Sequence, residues 1–328
     1  MNRSPAAVIV RALLEAGEAF VSGAELAREL GTSRVTVWQH MERLRDQGFE
    51  FEAVRSRGYR LVAKPATLNA LLIEARLPAP GCRVIVLDTI DSTNDEAMRL
   101  LTEGEPAPFV VIARQQTKGR GRLGRPWLSA PNGNLYLSFG LRPAVSPAEM
   151  PMITPWIGVN LSELLVRYAR VASQIKWPND LQIGERKLGG ILTEARLDAD
   201  LIRDLVIGCG LNLRTPPEGW PDDLADKVTA LDAHTGQPVD ANHFAAAVIG
   251  RVLTAYDGLR RGQHHTRLEA LWREHDALRD REITLLHGRA PVRGRAVGID
   301  RDGSLLLQRD GAAQPEHFRA GEVTLAHR

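Results

Sequence analysis

Two short helical periods lie almost end to end near the start of the chain, and few folds accommodate them. In SGAELARELG, Ser22 and Glu25 form a capping-box pair, Leu26 and Leu30 recur four apart, and Gly31 ends the helix. In TSRVTVWQHMERLRDQG, Val37, Met41 and Leu44 share one side, while Ser33, Arg34, Thr36, Gln39, His40 and Arg43 occupy the other. Ahead of both, Ile9 and Leu13 mark one face of a helix that Gly17 ends. Two helices joined by a short glycine-containing turn, the second offering Arg, Thr, Gln and His, predict a helix-turn-helix whose second helix fits a major groove about 12 Å wide. FEFEAVRSRGYRLV then alternates Phe49, Phe51 and Ala53, turns at Arg57-Gly58 and returns through Tyr59 and Leu61. That pattern predicts a hairpin wing bearing Arg55, Arg57 and Arg60 for phosphate contacts. A helical hairpin that only packs on a neighbour is the weaker reading, because it leaves the readout residues and the wing arginines unexplained.

The chain of 328 residues is too long for one ordinary domain and favours two or three. A hydrophobic share of 44% with 25% charged residues suits a soluble globular protein able to bury a core. No run approaches the roughly 18 consecutive apolar residues of a membrane span, and Met1 to Ala7 leads into no signal-peptide core. No membrane partner is expected, and the cytoplasm is the expected compartment. Cys82 and Cys209 stand far apart with no CxxC and no ligand-spaced histidines beside them, so they read as buried small hydrophobes and a zinc site is not expected. A net charge of +2 does not by itself demand nucleic acid, so the DNA reading rests on local pattern.

AKPATLNALLIEARLPAPG, broken by Pro65, Pro78 and Pro80, reads as a linker with one short helix, with a domain boundary near Pro65. From Cys82 onward strands and helices mix. RVIVLDTI, FVVIARQQT, NLYLSFGL, LGGILTEARL and DLVIGCGLNL read as strands, with Leu135, Leu137 and Phe139 alternating in the third. IGVNLSELLVRYARV, HFAAAVIGRVLTAYDGL and RLEALWREHDAL read as helices. From Arg281, brief strands punctuated by His287-Gly288, Asp302-Gly303 and Asp310-Gly311 predict a small antiparallel barrel.

Four clusters could carry chemistry. QTKGRGRLGRPW packs Arg120, Arg122 and Arg125 among Gly119, Gly121 and Gly124: glycine lets backbone N–H groups approach a ligand, and arginine supplies forked donors matched to phosphate or carboxylate. It is a single copy between two apolar strands, which argues against a disordered RNA-binding tail, although any one of its arginines could sit on an ordinary exposed turn. In KWPNDLQIGERKLGGILTE, Pro178-Asn179-Asp180 signals a turn, and Lys187 opens a strand ahead of Gly189 and Gly190; turn statistics favour a plain hairpin, and the placement of a lone lysine favours an anion site. In DSTNDEAM, Ser92 and Asp95 read as a capping box, and Ser92, Thr93 and Asn94 also present donors to a polar ligand. GCGLN, ending in Asn212, is weak alone.

In this order behind a helix-turn-helix, the four clusters resemble the biotin protein ligases, and the N-terminal segment makes the chain similar to the bifunctional kind that also represses biotin synthesis genes. The resemblance covers nearly the whole chain. It implies a multidomain α/β (α+β) architecture: a winged helix-turn-helix over 1–64, a mixed α/β catalytic domain over 65–278 and a small SH3-like β-barrel over 279–328. It implies that biotin and ATP, with Mg2+, give biotinyl-5′-adenylate, from which a lysine of the biotin carboxyl carrier protein of acetyl-CoA carboxylase takes the biotin. Carried over residue by residue, Arg120, Arg122, Lys187 and Asp180 are the catalytic set. Ser92, Thr93, Asn94, Gln116, Gly119, Gly121 and Gly190, with Arg120, Arg122 and Lys187, hold biotin; Arg125, Trp127, Lys176, Asn179 and Asn212 hold ATP or the adenylate. The resemblance further implies that the glycine-arginine flap orders over the ligand, that the adenylate acts as corepressor, that ligand drives homodimerisation, and that Ser33, Arg34, Thr36, Gln39, His40, Arg43 and Arg57 meet operator DNA. A lipoate-type ligase, or a biotin-sensing regulator without catalysis, are the competing readings. Leu123 and Pro126 stand where many members of the family carry basic residues, and the tail beyond Leu325 departs from the family pattern.

Overall fold

The computed structural model describes residues 3–129, 133–216, 218–288 and 290–325. The chain forms two compact units, Met1–Val86 with Asp240–Gly250, and Leu87–Val239 with Arg251–Arg328.

The first unit opens with α1 (Pro5–Ala16), α2 (Gly23–Glu29) and α3 (Arg34–Asp46). Each start is chemically capped. Ser4 accepts from the Ala7 N–H, Ser33 accepts from the Thr36 N–H, and the Ser22 and Glu25 box is complete, with both side chains bonding backbone. Ile9, Leu13, Leu26, Val37, Met41, Leu44 and Phe49 form the core. The wing is β1 (Glu50–Val54) paired antiparallel with β2 (Gly58–Ala63). Tyr59 exchanges backbone hydrogen bonds of 2.9 and 2.8 Å with Val21, which ties the wing to the α1–α2 connection.

The supposed linker is built into this unit. Asn69 caps α4 (Ala70–Arg76), and Leu72 and Ala75, three apart, join the same apolar cluster as Ile9 and Leu13. Asn242 accepts from the Asn69 N–H at 2.8 Å and donates to the Thr67 carbonyl at 3.0 Å. The prolines interrupt the backbone pattern on either side of α4, but its apolar face still has to be buried.

The second unit is built on a seven-stranded sheet in the order β3-β4-β5-β9-β8-β7-β6. Its elements are β3 (Arg83–Ile90), whose first residues belong to the other unit, α5 (Thr93–Glu103), β4 (Phe109–Gln116), β5 (Asn134–Leu141), α6 (Met150–Ala169), β6 (Ser173–Lys176), β7 (Asp180–Ile183), β8 (Arg186–Asp198) and β9 (Leu201–Asn212). A one-turn α7 (Asp232–Thr235), α8 (Ala241–Arg260) and α9 (His264–His275) follow. Helix α5 packs on the β4, β5 and β9 strands, and α6 on β6, β7 and β8. The period of two in β5 divides its residues between the faces: Leu135, Leu137 and Phe139 on one, Asn134, Tyr136 and Ser138 on the other. The polar row lies on the α5 side, where Ser138 meets Thr93 and Asn94.

After α9 comes a five-stranded antiparallel sheet, β10 (Glu282–His287), β11 (Ala290–Ile299), β12 (Leu305–Gln308), β13 (Glu316–Phe318) and β14 (Glu322–Leu325), in the order β13-β12-β11-β10-β14. It adjoins the larger sheet through Trp177, whose indole N–H donates to the Gly303 carbonyl at 3.1 Å. Residues beyond Leu325 lie outside the described residues. Among the described residues no helix is long and apolar enough to cross a membrane.

Candidate active site

One cavity of about 350 Å3 gathers most of the predicted residues: Ser92, Thr93, Asn94, Gln116, Arg120, Gly121, Arg122, Arg125, Trp127, Lys176, Asn179, Asp180, Lys187 and Gly190 all line it. Four strands, one helix start and one loop bring them together.

At one end, the Thr93 N–H and hydroxyl both donate to Gln116 Oε1, at 2.8 and 3.0 Å, and Gln116 Nε2 donates to Ser129 Oγ at 3.1 Å. Asn94 donates to Glu194 at 2.6 Å, and Ser138 Oγ lies 2.6 Å from Asn94 Oδ1. This cluster mixes amides and hydroxyls, so it offers donors and acceptors together. Ser92 caps α5 by accepting from Asp95, but the expected capping box is only half made. Arg120 takes the Asp95 carboxylate, and the Ser92 N–H turns to Asp91 at 2.7 Å. A charged donor outcompetes a neutral backbone N–H for that carboxylate.

The floor is nearly bare of side chains. Gly190 faces Gly210 across β8 and β9, and Leu192 faces Gly208. The Trp127 indole lies directly over Gly210, where a Cβ would stand 2.7 Å from the ring, and a Cβ on Gly208 would strike Asn94. The Trp127 ring N–H is buried without a hydrogen-bond partner, a donor in want of an acceptor.

The opposite end is cationic. Lys187 Nζ pairs with Asp180 at 2.7 Å and lies 5.2 Å from the centre of the Trp127 ring. Lys176 is half-buried, and that burial pushes its pKa down against the attraction of Asp180. Asn179 exchanges 3.0 Å hydrogen bonds with the Ile191 backbone, which locks the β6–β7 turn onto β8.

Over the cavity, the glycine-arginine loop folds back on itself. The Trp127 N–H donates to the Gly119 carbonyl and the Gly121 N–H to the Arg125 carbonyl, at 2.8 and 2.7 Å. The tip turns through left-handed conformations at Leu123 and Gly124, leaving Leu123 76% exposed. Arg120 is held by Asp95 and Glu194. Arg122 donates to Asn179 Oδ1 and the Gly321 carbonyl, at 3.4 and 3.3 Å, and its burial lowers its pKa. Arg125 pairs with Glu322 at 2.5 Å. The loop therefore leans on the small C-terminal sheet.

Two predicted residues do not line the cavity. Asn212 is buried and donates to the Thr229 carbonyl at 3.0 Å, so its amide holds the chain after β9 in place. Gly119 works through backbone, and its missing Cβ leaves room for Ser129 Oγ, which would otherwise be 2.7 Å away. Sequence reading took Gly208 and Gly210 only as part of the weak GCGLN cluster and passed over Tyr136, Leu192, Val323 and Thr324; all six also line the cavity. Tyr136 was discoverable as the off-beat of the β5 alternation.

On α3, Arg34, Gln39 and Arg43 are exposed, and Thr36 and His40 are partly so. Ser33 is spent on capping, and its hydroxyl also lies 3.0 Å from that of Thr36. Unforeseen are Val35 and Trp38, 64% and 52% exposed on the same helix. In the wing, Arg55 and Arg57 are both exposed, the Arg57 guanidinium stacking 4.2 Å from the centre of Phe20, and the partly buried Arg60 pairs with Glu52 at 2.5 Å.

Three family models match the chain: an HTH domain over residues 6–60, the Biotin/lipoate A/B protein ligase family over 86–212, and the Biotin protein ligase C terminal domain over 280–325. The chain is 33% identical to the bifunctional ligase/repressor BirA of Bacillus subtilis (strain 168), across 92% of this chain and 93% of that protein. It is 34% identical to that of Escherichia coli (strain K12), across 96% and 95%. Among solved structures, the biotin protein ligase from Aquifex aeolicus in complex with biotin and ATP superposes with a TM-score of 0.61 at 28% identity, over 75% of this chain and 99% of that one. With a helix-turn-helix in front, a ligase core in the middle and a ligase C-terminal domain behind, the chain belongs to the biotin protein ligases of the bifunctional ligase/repressor type.

Proposed function

We propose that the cavity joins biotin to AMP and then passes biotin to a carrier-protein lysine, and that the adenylate-bound protein represses transcription through its winged helix. One observation carries the chemical half: Arg122, Lys176 and Lys187 line one end of a single cavity whose other end is lined by the Thr93, Asn94 and Gln116 cluster, with Arg120 held beside Asn94 by Asp95 and Glu194. A ureido ring has N–H donors and a carbonyl acceptor, which that polar end matches; a lipoyl dithiolane would leave those buried groups unpaired.

In the first step a biotin carboxylate oxygen attacks the α-phosphorus of ATP, the bond to pyrophosphate breaks, and a mixed anhydride forms. Two anions must approach each other, so the chain's contribution is positioning and charge neutralisation. Lys187 bridges the carboxylate and α-phosphate, Arg122 and Arg120 lie along them, Arg125 and Lys176 serve the nucleotide phosphates, and Asn179 and Asp180 fix the turn beneath. Each of Lys187, Arg120 and Arg125 rests on a carboxylate until substrates exchange with those partners. Trp127 forms the apolar wall over the Gly210 floor. In the second step a neutral lysine amine attacks the acyl carbon, AMP leaves, and the amine sheds a proton as the amide forms.

Mg2+ supplies phosphate charge neutralisation when bound. The two cavity carboxylates, Asp180 and Glu322, both face cations, so the described residues offer no preformed acidic cage for the ion. Purified protein mixed with biotin, labelled ATP, Mg2+ and a carrier domain transfers biotin on this reading; failure with an active carrier ends it. Adding a Cβ at Gly210 unseats Trp127, so Gly210→Ala weakens biotin binding by about 10-fold or more, the equivalent of mild overpacking. Calorimetry giving unchanged affinity would show that the indole's seat does not matter.

The regulatory half assigns residues 1–64 to DNA, 65–278 to chemistry and 279–328 to bracing the loop, in a protein acting in the cytoplasm. Adenylate-driven pairing of two chains places two α3 helices on a palindromic operator, and the carrier competes for the pairing surface. Arg34→Ala weakens operator binding about 10-fold in a gel shift and leaves biotin transfer intact. Equal loss of both activities would contradict that division of labour.

A further inference from the structure

We infer that Glu149, His264 and His265 form a binding site for a borderline transition-metal dication such as Zn2+, away from the substrate cavity. Glu149 closes the short 3-10 turn Pro147–Glu149 that leads into α6, and the histidines open α9, with 115 residues between Glu149 and His264. One potential ligand atom from each lies within 4.8 Å of the other two. His264 Nε2 is 2.5 Å from one Glu149 oxygen, and His265 Nε2 is 3.4 Å from the other. None of the three lines the cavity described above.

Two further observations separate this cluster from a routine histidine-carboxylate contact. Successive residues of a helix project roughly 100° apart, yet these imidazoles turn to one carboxylate with ring centres 4.0 Å apart and planes tilted by 38°. The corner that allows it is Gly262, at φ 70°, together with the 2.9 Å bond from the Gln263 N–H to the Gly258 carbonyl. The second is His264 itself, 2% exposed, which sets its Nε2 against a carboxylate that can only accept. A metal ion at that contact takes the Nε2 lone pair in place of the ring proton, with the carboxylate balancing its charge, whereas protonating both rings would set two like charges about 4 Å apart.

Two imidazoles and one carboxylate suit Zn2+, Co2+ or Ni2+, whereas Mg2+ and Ca2+ prefer oxygen donors. Three protein ligands leave the remaining coordination to water. An ion here clips the start of α6 to the α8–α9 corner, two points far apart in sequence. Spacing did not reveal the cluster, because its carboxylate comes from another part of the chain.

Tag-free, full-length protein stripped with EDTA is titrated with ZnCl2 against a chromophoric chelator, and its melting temperature is followed with and without the ion. We expect one equivalent bound per chain and a raised melting temperature. His265→Ala, at a half-exposed ring, and Glu149→Gln should each weaken binding by at least about 10-fold and abolish the thermal shift, while melting like the parent without zinc. With Co2+ as probe, the visible ligand-field bands should be lost in both variants. Absence of stoichiometric uptake, or equal affinity in parent and both variants, overturns the site.

Discussion

Replacing Lys187 with alanine should slow biotinyl-adenylate formation by about 10²- to 10³-fold, the range typical of deleting one donor to a developing oxyanion. The side chain starts a strand fixed by backbone bonds to Lys227 and Thr229, and its ammonium lies between Asp180 and the Trp127 ring. It is therefore aimed before substrates arrive, so little ordering is needed at the moment of reaction. Its removal also frees Asp180, leaving a negative charge where two more anions must meet. Lys187→Arg should restore little, because a planar fork cannot occupy the place of a compact ammonium above Gly190, where even a Cβ would lie 3.5 Å from Nζ. Pyrophosphate release measured with saturating biotin and ATP checks both variants. A rate within about 3-fold of the parent, less than the ~0.7 kcal/mol that such a ratio represents, would remove Lys187 from the catalytic set.

Replacing Arg122 with glycine should release the adenylate about 10- to 100-fold faster, as expected for loss of a charge-assisted hydrogen bond worth about 1.5–3 kcal/mol. Arg122 is also the loop's link to the Gly321 carbonyl and to Asn179, so the variant loses both a phosphate contact and a brace. A chase of preformed, labelled adenylate reads the rate directly. Arg125→Ala separates the two effects: it removes the link to Glu322 while keeping Arg122, so it should change release less. Unchanged release in Arg122→Gly would mean that the loop does not retain the phosphate.

How far the chain could be read in advance depended on the distance over which each signal acts. The box at Ser22 and Glu25 and the alternation in β5 are local, and both were legible. The box at Ser92 and Asp95 obeyed the same local rule and was only half realised, because Arg120 arrives from 25 residues away with a stronger claim on the carboxylate. The arginines stand out locally by their glycine-rich setting, and all three line the cavity. Their resting partners do not stand out: Glu194 lies 74 residues from Arg120, and Glu322 197 residues from Arg125. Asn212 misled for a related reason, since an amide at a strand end suits a ligand or a backbone carbonyl equally well, and only the path of the chain to Thr229 decides between them. The α4 segment was legible as one short helix, but its setting among three prolines gave no sign that the core uses its apolar face.

Gly190, Gly208 and Gly210 already reduce the bottom of the pocket to main chain. Truncating mutagenesis can carve no extra depth there, so redesign for bulkier vitamin analogues has to push outward, through Trp127, Tyr136 or Leu192. Redesign for slimmer acids can work from below only at Gly190, where an added methyl meets its nearest neighbours at 3.4 Å.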